Sequence, residues 1–307
     1  MSQYEILDQR FKALINGSAK LEQLWTGGRW TEGPVYVPAA RHIVWSDIPN
    51  DRILRYDEVT GAAGVFEAPV GYHNGHTLDF QGRIIACEHG RRRVSRLDHD
   101  GRWRPLAEHF DGKRLNSPND VVVKSDGSIW FTDPTYGIDS DYEGFAAPSE
   151  INASNVYRFD PDDGAVTLVA LDRVKPNGLA FSPNESVLYV SDTGGSHVPG
   201  LPPTITAYPV NPDGRSIGEG RVFATCEVGV FDGFRVDRHG NIFASSGDSV
   251  RVYAPDGTLI GRILVPEVIS NLCFGGPKRN RLYITATTSL YAIYVNSGPA
   301  EPANRLG

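Results

Sequence analysis

The chain carries only three cysteines, Cys87, Cys226 and Cys273, scattered along 307 residues. That is too few for a disulfide framework and lacks the paired spacing of a zinc cluster, so each reads as a small buried hydrophobe. Basic residues are also short: 30 Lys and Arg face 37 Asp and Glu, for a net charge of -7. Nucleic-acid and anionic-membrane binders need the opposite balance to neutralise phosphates, so neither partner is expected. No run approaches the roughly 18 to 20 apolar residues of a membrane-spanning helix. The opening MSQYEILDQRFKALINGSAK has no apolar signal core, which makes the cytoplasm the expected compartment. There is no GxSxG elbow and no matching Ser, His and Asp pattern, which disfavours a serine hydrolase.

Helical periodicity is scarce too. It occurs only over residues 4–14, where Ile6, Leu7, Phe11 and Leu14 share a face. Residues 1–20 are therefore read as an N-terminal extension with a short helix, and 21–307 as a single domain. What the chain has in quantity is turn residues, 33 glycines and 21 prolines. Between them run short alternating or β-branched segments such as HIVWSD, RIIACE, SIWFTD, VLYVSD, NIFASS and RLYITA. The fold class is all-β, and many evenly spaced strands call for an internal repeat.

The repeat can be aligned by eye. TEGPVYVPAARHIVWSD begins at Thr31, NGHTLDFQGRIIACE at Asn74, PNDVVVKSDGSIWFTD at Pro118, PNGLAFSPNESVLYVSD at Pro176, FDGFRVDRHGNIFASS at Phe231 and SNLCFGGPKRNRLYITA at Ser270. Each copy reads as a polar residue, an apolar strand, a tight turn and a second strand. Copies recur every roughly 39 to 58 residues, the period of a four-stranded propeller blade with two insertions. Six copies predict a six-bladed β-propeller with four-stranded blades. After SLYAIYV the last blade lacks an outer strand, so LEQLWTG at 21–27 is expected to close the ring from the N-terminal side.

If each inner strand starts at the polar residue, then Glu32, Asn74, Asn119, Asn177, Asp232 and Asn271 converge on one mouth of the central channel. The insertions, 134–154 and 193–203, follow second strands and should lie at the same face, with Tyr136 and 137–144 covering the mouth. Two carboxylates and four amides suit a hard cation, calcium above all, better than zinc or copper. Polar residues at strand starts also serve in propellers to satisfy backbone groups or hold channel water, and that reading stays open. His73 and His76 lack a further soft ligand and read as mouth residues. The basic run GRRRVSR puts Arg91 and Arg92 after a second strand, where they can meet an anionic or hydroxyl-rich substrate.

The segments TEGPVY, WSDIPNDRILRYD, ACEHGRRRVSR, FDGKRLNSPNDVVVKSDGSIWFTDPTYG, PNGLAFSPNESVLYVSDT and FDGFRVDRHGNIFAS resemble the senescence-marker-protein/gluconolactonase, or regucalcin-like, family, in its bacterial branch. The resemblance runs from about Leu21 to Tyr294. It implies a six-bladed propeller with one divalent cation at the channel mouth, usually calcium, with Mg2+, Mn2+ or Zn2+ as alternatives. It implies lactone hydrolysis, with D-glucono-1,5-lactone as the leading substrate. The metal glutamate of the family's EGP motif falls on Glu32, the asparagine of NGL on Asn177, and the aspartate of DG on Asp232, which is also the family's acid/base. The asparagine of ND, a substrate or metal contact, falls on Asn119. Animal members carry an arginine two residues before it where this chain has Ser117, so His76, Arg91 or Arg92 is expected to substitute, with Tyr136 completing the substrate contacts. Other lactones, esters or phosphotriesters, or calcium binding without turnover, are the alternative readings. A monomer or weak homodimer is expected.

Overall fold

The computed structural model describes residues 3–171 and 173–300. The ends of the expected extension and domain, residues 1, 2 and 301–307, lie outside them, as does residue 172. Six antiparallel sheets carry the repeat, each with its four strands in ring order. Their inner strands are Thr31–Val37, His73–Leu78, Val121–Val123, Pro176–Phe181, Phe234–Val236 and Ile269–Gly275. The protein is a six-bladed β-propeller.

Burial follows strand position. Second strands such as Ile84–Glu88, Ile129–Asp133 and Arg281–Ala286 are buried throughout, because both faces of a blade pack on neighbouring blades. This explains their uninterrupted apolar runs, whereas the outer strand Ala63–Glu67 is mostly exposed. Six apolar clusters fill the wedges between adjacent blades. Trp130, Val156, Leu179 and Leu188, for example, join blades three and four.

The ring closes as the sequence requires. Glu22–Thr26 pairs antiparallel with Ser289–Tyr294 as the outer strand of blade six, and Trp25 packs edge-on against Trp45 of blade one at 5.6 Å. Tying the two ends together in one sheet removes the open seam where a ring would otherwise split.

The extension differs from its amphipathic reading. Tyr4–Ile6 is a strand that pairs with Leu259–Leu264 and adds a fifth strand to blade five. Among the described residues the extension's one helix is the 3₁₀ turn Gln9–Ala13, capped by the Asp8 side chain, which accepts from the Arg10 amide. Ile6 and Leu7 are 43% and 47% exposed, while Phe11 and Leu14 are buried. A helix of this length is marginal in water, and an open sheet edge offers the same backbone a ready ladder. Phe11 enters the cluster between blades five and six, over Gly261, where a Cβ would sit 2.1 Å from the ring. Phe11→Ala is therefore expected to cost about 3 kcal/mol of unfolding free energy, measurable by guanidinium denaturation.

Candidate active site

The polar residues stand where each inner strand enters the sheet. Ladder register breaks between Glu32 and Val35, His73 and His76, Pro176 and Leu179, and Ile269 and Asn271. Such bulges turn a side chain out of the regular alternation and into the channel. Hydroxyls at the ends of second strands stitch the ring together. Ser46 donates to the Asn74 carbonyl at 2.9 Å, Thr132 to that of Asn177 at 2.7 Å, and Ser191 to that of Asp232 at 2.7 Å. Gly33, at φ 55°, is compelled by close approach, since a Cβ would lie 2.1 Å from the Asn74 carbonyl oxygen. The acids after these hydroxyls are structural: Asp133 accepts from the amides of Asn116 and Ser117, and Asp192 from those of Val174 and Lys175.

A cavity of about 270 Å³ opens at this mouth, lined by Glu32, Asn74, Asn119, Asn177 and Asp232, and roofed by Tyr136, Glu143, Thr193, Ser196 and His197 from the two insertions. Three buried oxygens in it, Glu32 Oε1, Asn74 Oδ1 and Asn177 Oδ1, have no hydrogen-bond partner. Each is aimed by a bond at the other end of its side chain. Glu32 Oε2 accepts from the Gly33 amide and from Asn271 Nδ2, the latter at 3.0 Å. Asn177 Nδ2 donates to Thr193 Oγ1 at 3.5 Å. Asn74 Nδ2 lies 3.1 Å from His89 Nε2, and His89 Nδ1 lies 3.1 Å from the Glu143 carbonyl. A carbonyl demands the proton at Nδ1, so Nε2 accepts from the amide and Asn74 Oδ1 is left facing away. Burial pushes the His89 pKa down to about 4, which keeps the ring neutral in this role.

Orphaned acceptor oxygens buried together cost free energy unless something electropositive meets them. The set is all oxygen, two carboxylates and amides, and fits a hard divalent cation such as calcium. Among the described residues no trio of His, Cys, Asp and Glu forms a metal cluster, so the donor set rests on amides as much as on acids. Burial raises the pKa of the Asp232 carboxyl, and the charges of Glu32, Glu143 and Asp120 add to it. Glu32 is raised for the same reason, by burial and then by Asp120.

Six of the residues singled out from sequence, Glu32, Asn74, Asn119, Asn177, Asp232 and Tyr136, meet in this cavity. Tyr136 bonds through its hydroxyl to Thr193 and, at 3.2 Å, to Ser196, so it joins one insertion to the other. His76 and Arg92 do not meet the others. His76 Nδ1 is 2.8 Å from the Gly33 carbonyl, and the ring faces a separate cavity of about 720 Å³ lined by the turns at the other end of the channel. Its position two residues beyond Asn74 puts it further down the inner strand. Arg92 is buried and donates through Nε to the carbonyls of Leu115 and Asn116, at 2.7 and 3.0 Å. It braces the entry to blade three, a use of arginine that a basic run does not announce. Glu143, on the acidic insertion expected to cover the mouth, stands in the roof; residues missed by the sequence reading are Ser196 and His197 beside it, and Asp120 beneath, which pairs with Arg235 at 3.4 Å. Asp120 follows Asn119 directly, and that adjacency was the available signal.

Fold and site together define a propeller with an oxygen-lined cavity at one mouth of its channel. The chain belongs to the SMP-30/Gluconolactonase/LRE-like family, which matches residues 30–288. It is 30% identical to a gluconolactonase of Zymomonas mobilis, over 92% of this chain and 83% of that protein. A gluconolactonase of Xanthomonas campestris superposes with a TM-score of 0.88 at 38% identity, covering 95% of this chain and 94% of the other. Regucalcin of Agrobacterium tumefaciens, a calcium-binding protein, matches with a TM-score of 0.75 over 91% of this chain and 95% of its own, and at 22% identity it speaks for the fold alone.

Proposed function

We propose that this protein hydrolyses a sugar lactone, D-glucono-1,5-lactone to D-gluconate, with a divalent cation, calcium, at the channel mouth. Lactone hydrolysis is the activity in the names of the curated relatives that match most of this chain, and the observation that supports it here is the cluster of unpartnered, pre-aimed oxygens beside Asp232. Glu32, Asn177, Asp232 and Asn119 would hold the cation, whose contribution is to polarise the lactone carbonyl and offset the charge of the tetrahedral intermediate.

The remaining work falls to the chain itself. The walls admit a small hydroxyl-bearing ring, and Tyr136, Thr193, Ser196 and His197 offer hydrogen bonds to its hydroxyls. Asn119 and Asn74 present amides from adjoining blades. Asp232 takes a proton from the attacking water as the new C–O bond forms at the carbonyl carbon. It returns that proton to the ring oxygen as the acyl C–O bond breaks, so the ring opens to a hydroxyl and a carboxylic acid, which loses the water's second proton to solvent and leaves as carboxylate. At Asp232 two effects oppose each other: burial and the neighbouring acids disfavour its charge and strengthen it as a base, while a cation beside it would favour that charge.

The test is one panel: sugar, acyl and aromatic lactones assayed with calcium and with a chelator. The expected result is turnover of sugar lactones that chelation abolishes and calcium restores. Calcium binding without turnover of any lactone would reduce the protein to a binding propeller.

A further inference from the structure

The cavity wall holds three carboxylates, Glu32, Glu143 and Asp232, and no lysine or arginine. The cations nearest to it are engaged elsewhere. Lys175 Nζ lies 4.7 Å over the Tyr136 ring but bonds Asp139 Oδ2 at 2.6 Å and Thr135 Oγ1 at 2.5 Å. Arg92 is spent on backbone carbonyls and Arg235 on Asp120. Glu143 differs from the other two acids in origin, because it arrives on the insertion of blade three. Its backbone is fixed by the bond from His89 to its carbonyl, and Phe145, two residues on, by its amide bond to the Gly137 carbonyl at 3.0 Å and its ring against Tyr72 at 5.3 Å. Its carboxylate makes no hydrogen bond or ion pair among the described residues, and burial alone acts on it. A charge placed in a cavity wall by its backbone, with no partner of its own, is available to the substrate.

We propose that Glu143 is a specificity residue that admits neutral, hydroxyl-rich lactones and rejects those carrying a phosphate, sulfonate or carboxylate group. The inference rests on the lactonase reading and adds the substrate's charge class to it. The carboxylate accepts hydrogen bonds from sugar hydroxyls, whereas an anionic substituent meets it with no lysine or arginine in the wall to compensate, the charge of a calcium ion being offset by Glu32 and Asp232. At close range in a partly desolvated site such repulsion is strong enough to exclude a ligand.

The experiment compares D-glucono-1,5-lactone with its 6-phosphate, the same ring with an added dianion, at about pH 8. Burial pushes the Glu143 carboxyl up to about 7, so it is ionised there. After subtraction of spontaneous hydrolysis, the wild type should favour the neutral lactone by about 100-fold or more in kcat/KM, most of it in KM. Glu143→Gln should narrow that ratio about tenfold, and Glu143→Lys should narrow it further. A ratio is insensitive to partial misfolding, which lowers both rates alike. Equal kcat/KM on the two lactones, or a ratio unmoved by both variants, overturns the inference and leaves the lactonase reading standing. No turnover of either lactone overturns both.

Discussion

Asp232→Asn should give a protein that still binds calcium but turns over lactone roughly 10² to 10⁴ times more slowly at saturating metal, the loss typical of a missing acid/base. Asparagine keeps an oxygen of the same reach and removes only the charge and the capacity to take a proton. If Asp232 served as a ligand alone, excess calcium would refill the weakened site by mass action and restore the rate. The measurement is kcat against calcium concentration, carried to a plateau in both proteins. A variant plateau at the wild-type value would strip Asp232 of its role as base. A low plateau is expected because Glu32 is committed through Oε2 to Asn271 and the Gly33 amide, which leaves Asp232 as the carboxylate on the blades that is free to act on water.

Removing the cation should make the protein lose stability as pH rises. In the metal-free protein Glu32 and Asp232 both have raised carboxyl pKa values, chiefly from burial, with neighbouring acids adding to it. The folded state therefore holds protons that the unfolded chain has already released. Stability is greatest below the ordinary carboxylate range and declines as pH climbs from there through neutrality, since folding must then retain or bury charge at a cost. Measured against Glu32→Gln, so that the opposing contribution of the buried neutral histidines cancels, the melting temperature of chelated wild type should fall by about 3 to 6 °C between about pH 5 and about pH 8. Calcium should flatten or reverse that slope, because it meets the ionised forms. Glu32→Gln separates charge from packing. It should raise the melting temperature of the chelated protein at about pH 8 while weakening calcium binding by more than the roughly 10- to 100-fold that an outer-shell partner contributes. Calorimetry showing unchanged affinity would remove Glu32 from the site, whatever happens to stability.

The sequence by itself determined the blade number, the closure by Glu22–Thr26 and the meeting of Glu32, Asn119, Asn177 and Asp232. All of these follow from a repeat: once six copies share one strand order, radial symmetry carries the same position of each copy to the same place. It also put both insertions at the channel mouth, because each follows the second strand of its blade, and strand direction alternates without exception in an up-and-down sheet. Tertiary structure decided what symmetry leaves open. His76 and Asn74 lie two residues apart in one motif, yet a bulge and the inward run of the strand send one to the cavity and the other to the far end of the channel. Arg92 reads as a substrate contact until the carbonyls of Leu115 and Asn116, far along the chain, are seen to claim it. The extension put Tyr4–Ile6 into a strand because blade five had an edge to offer, a partner that no local pattern records, and confined its helical turn to Gln9–Ala13. Glu143 enters the wall only because His89, Asn74 and Gly137 hold an irregular loop in one conformation. Loops carry no periodicity, so their side chains are aimed by individual hydrogen bonds, and those exist only once the chain has folded.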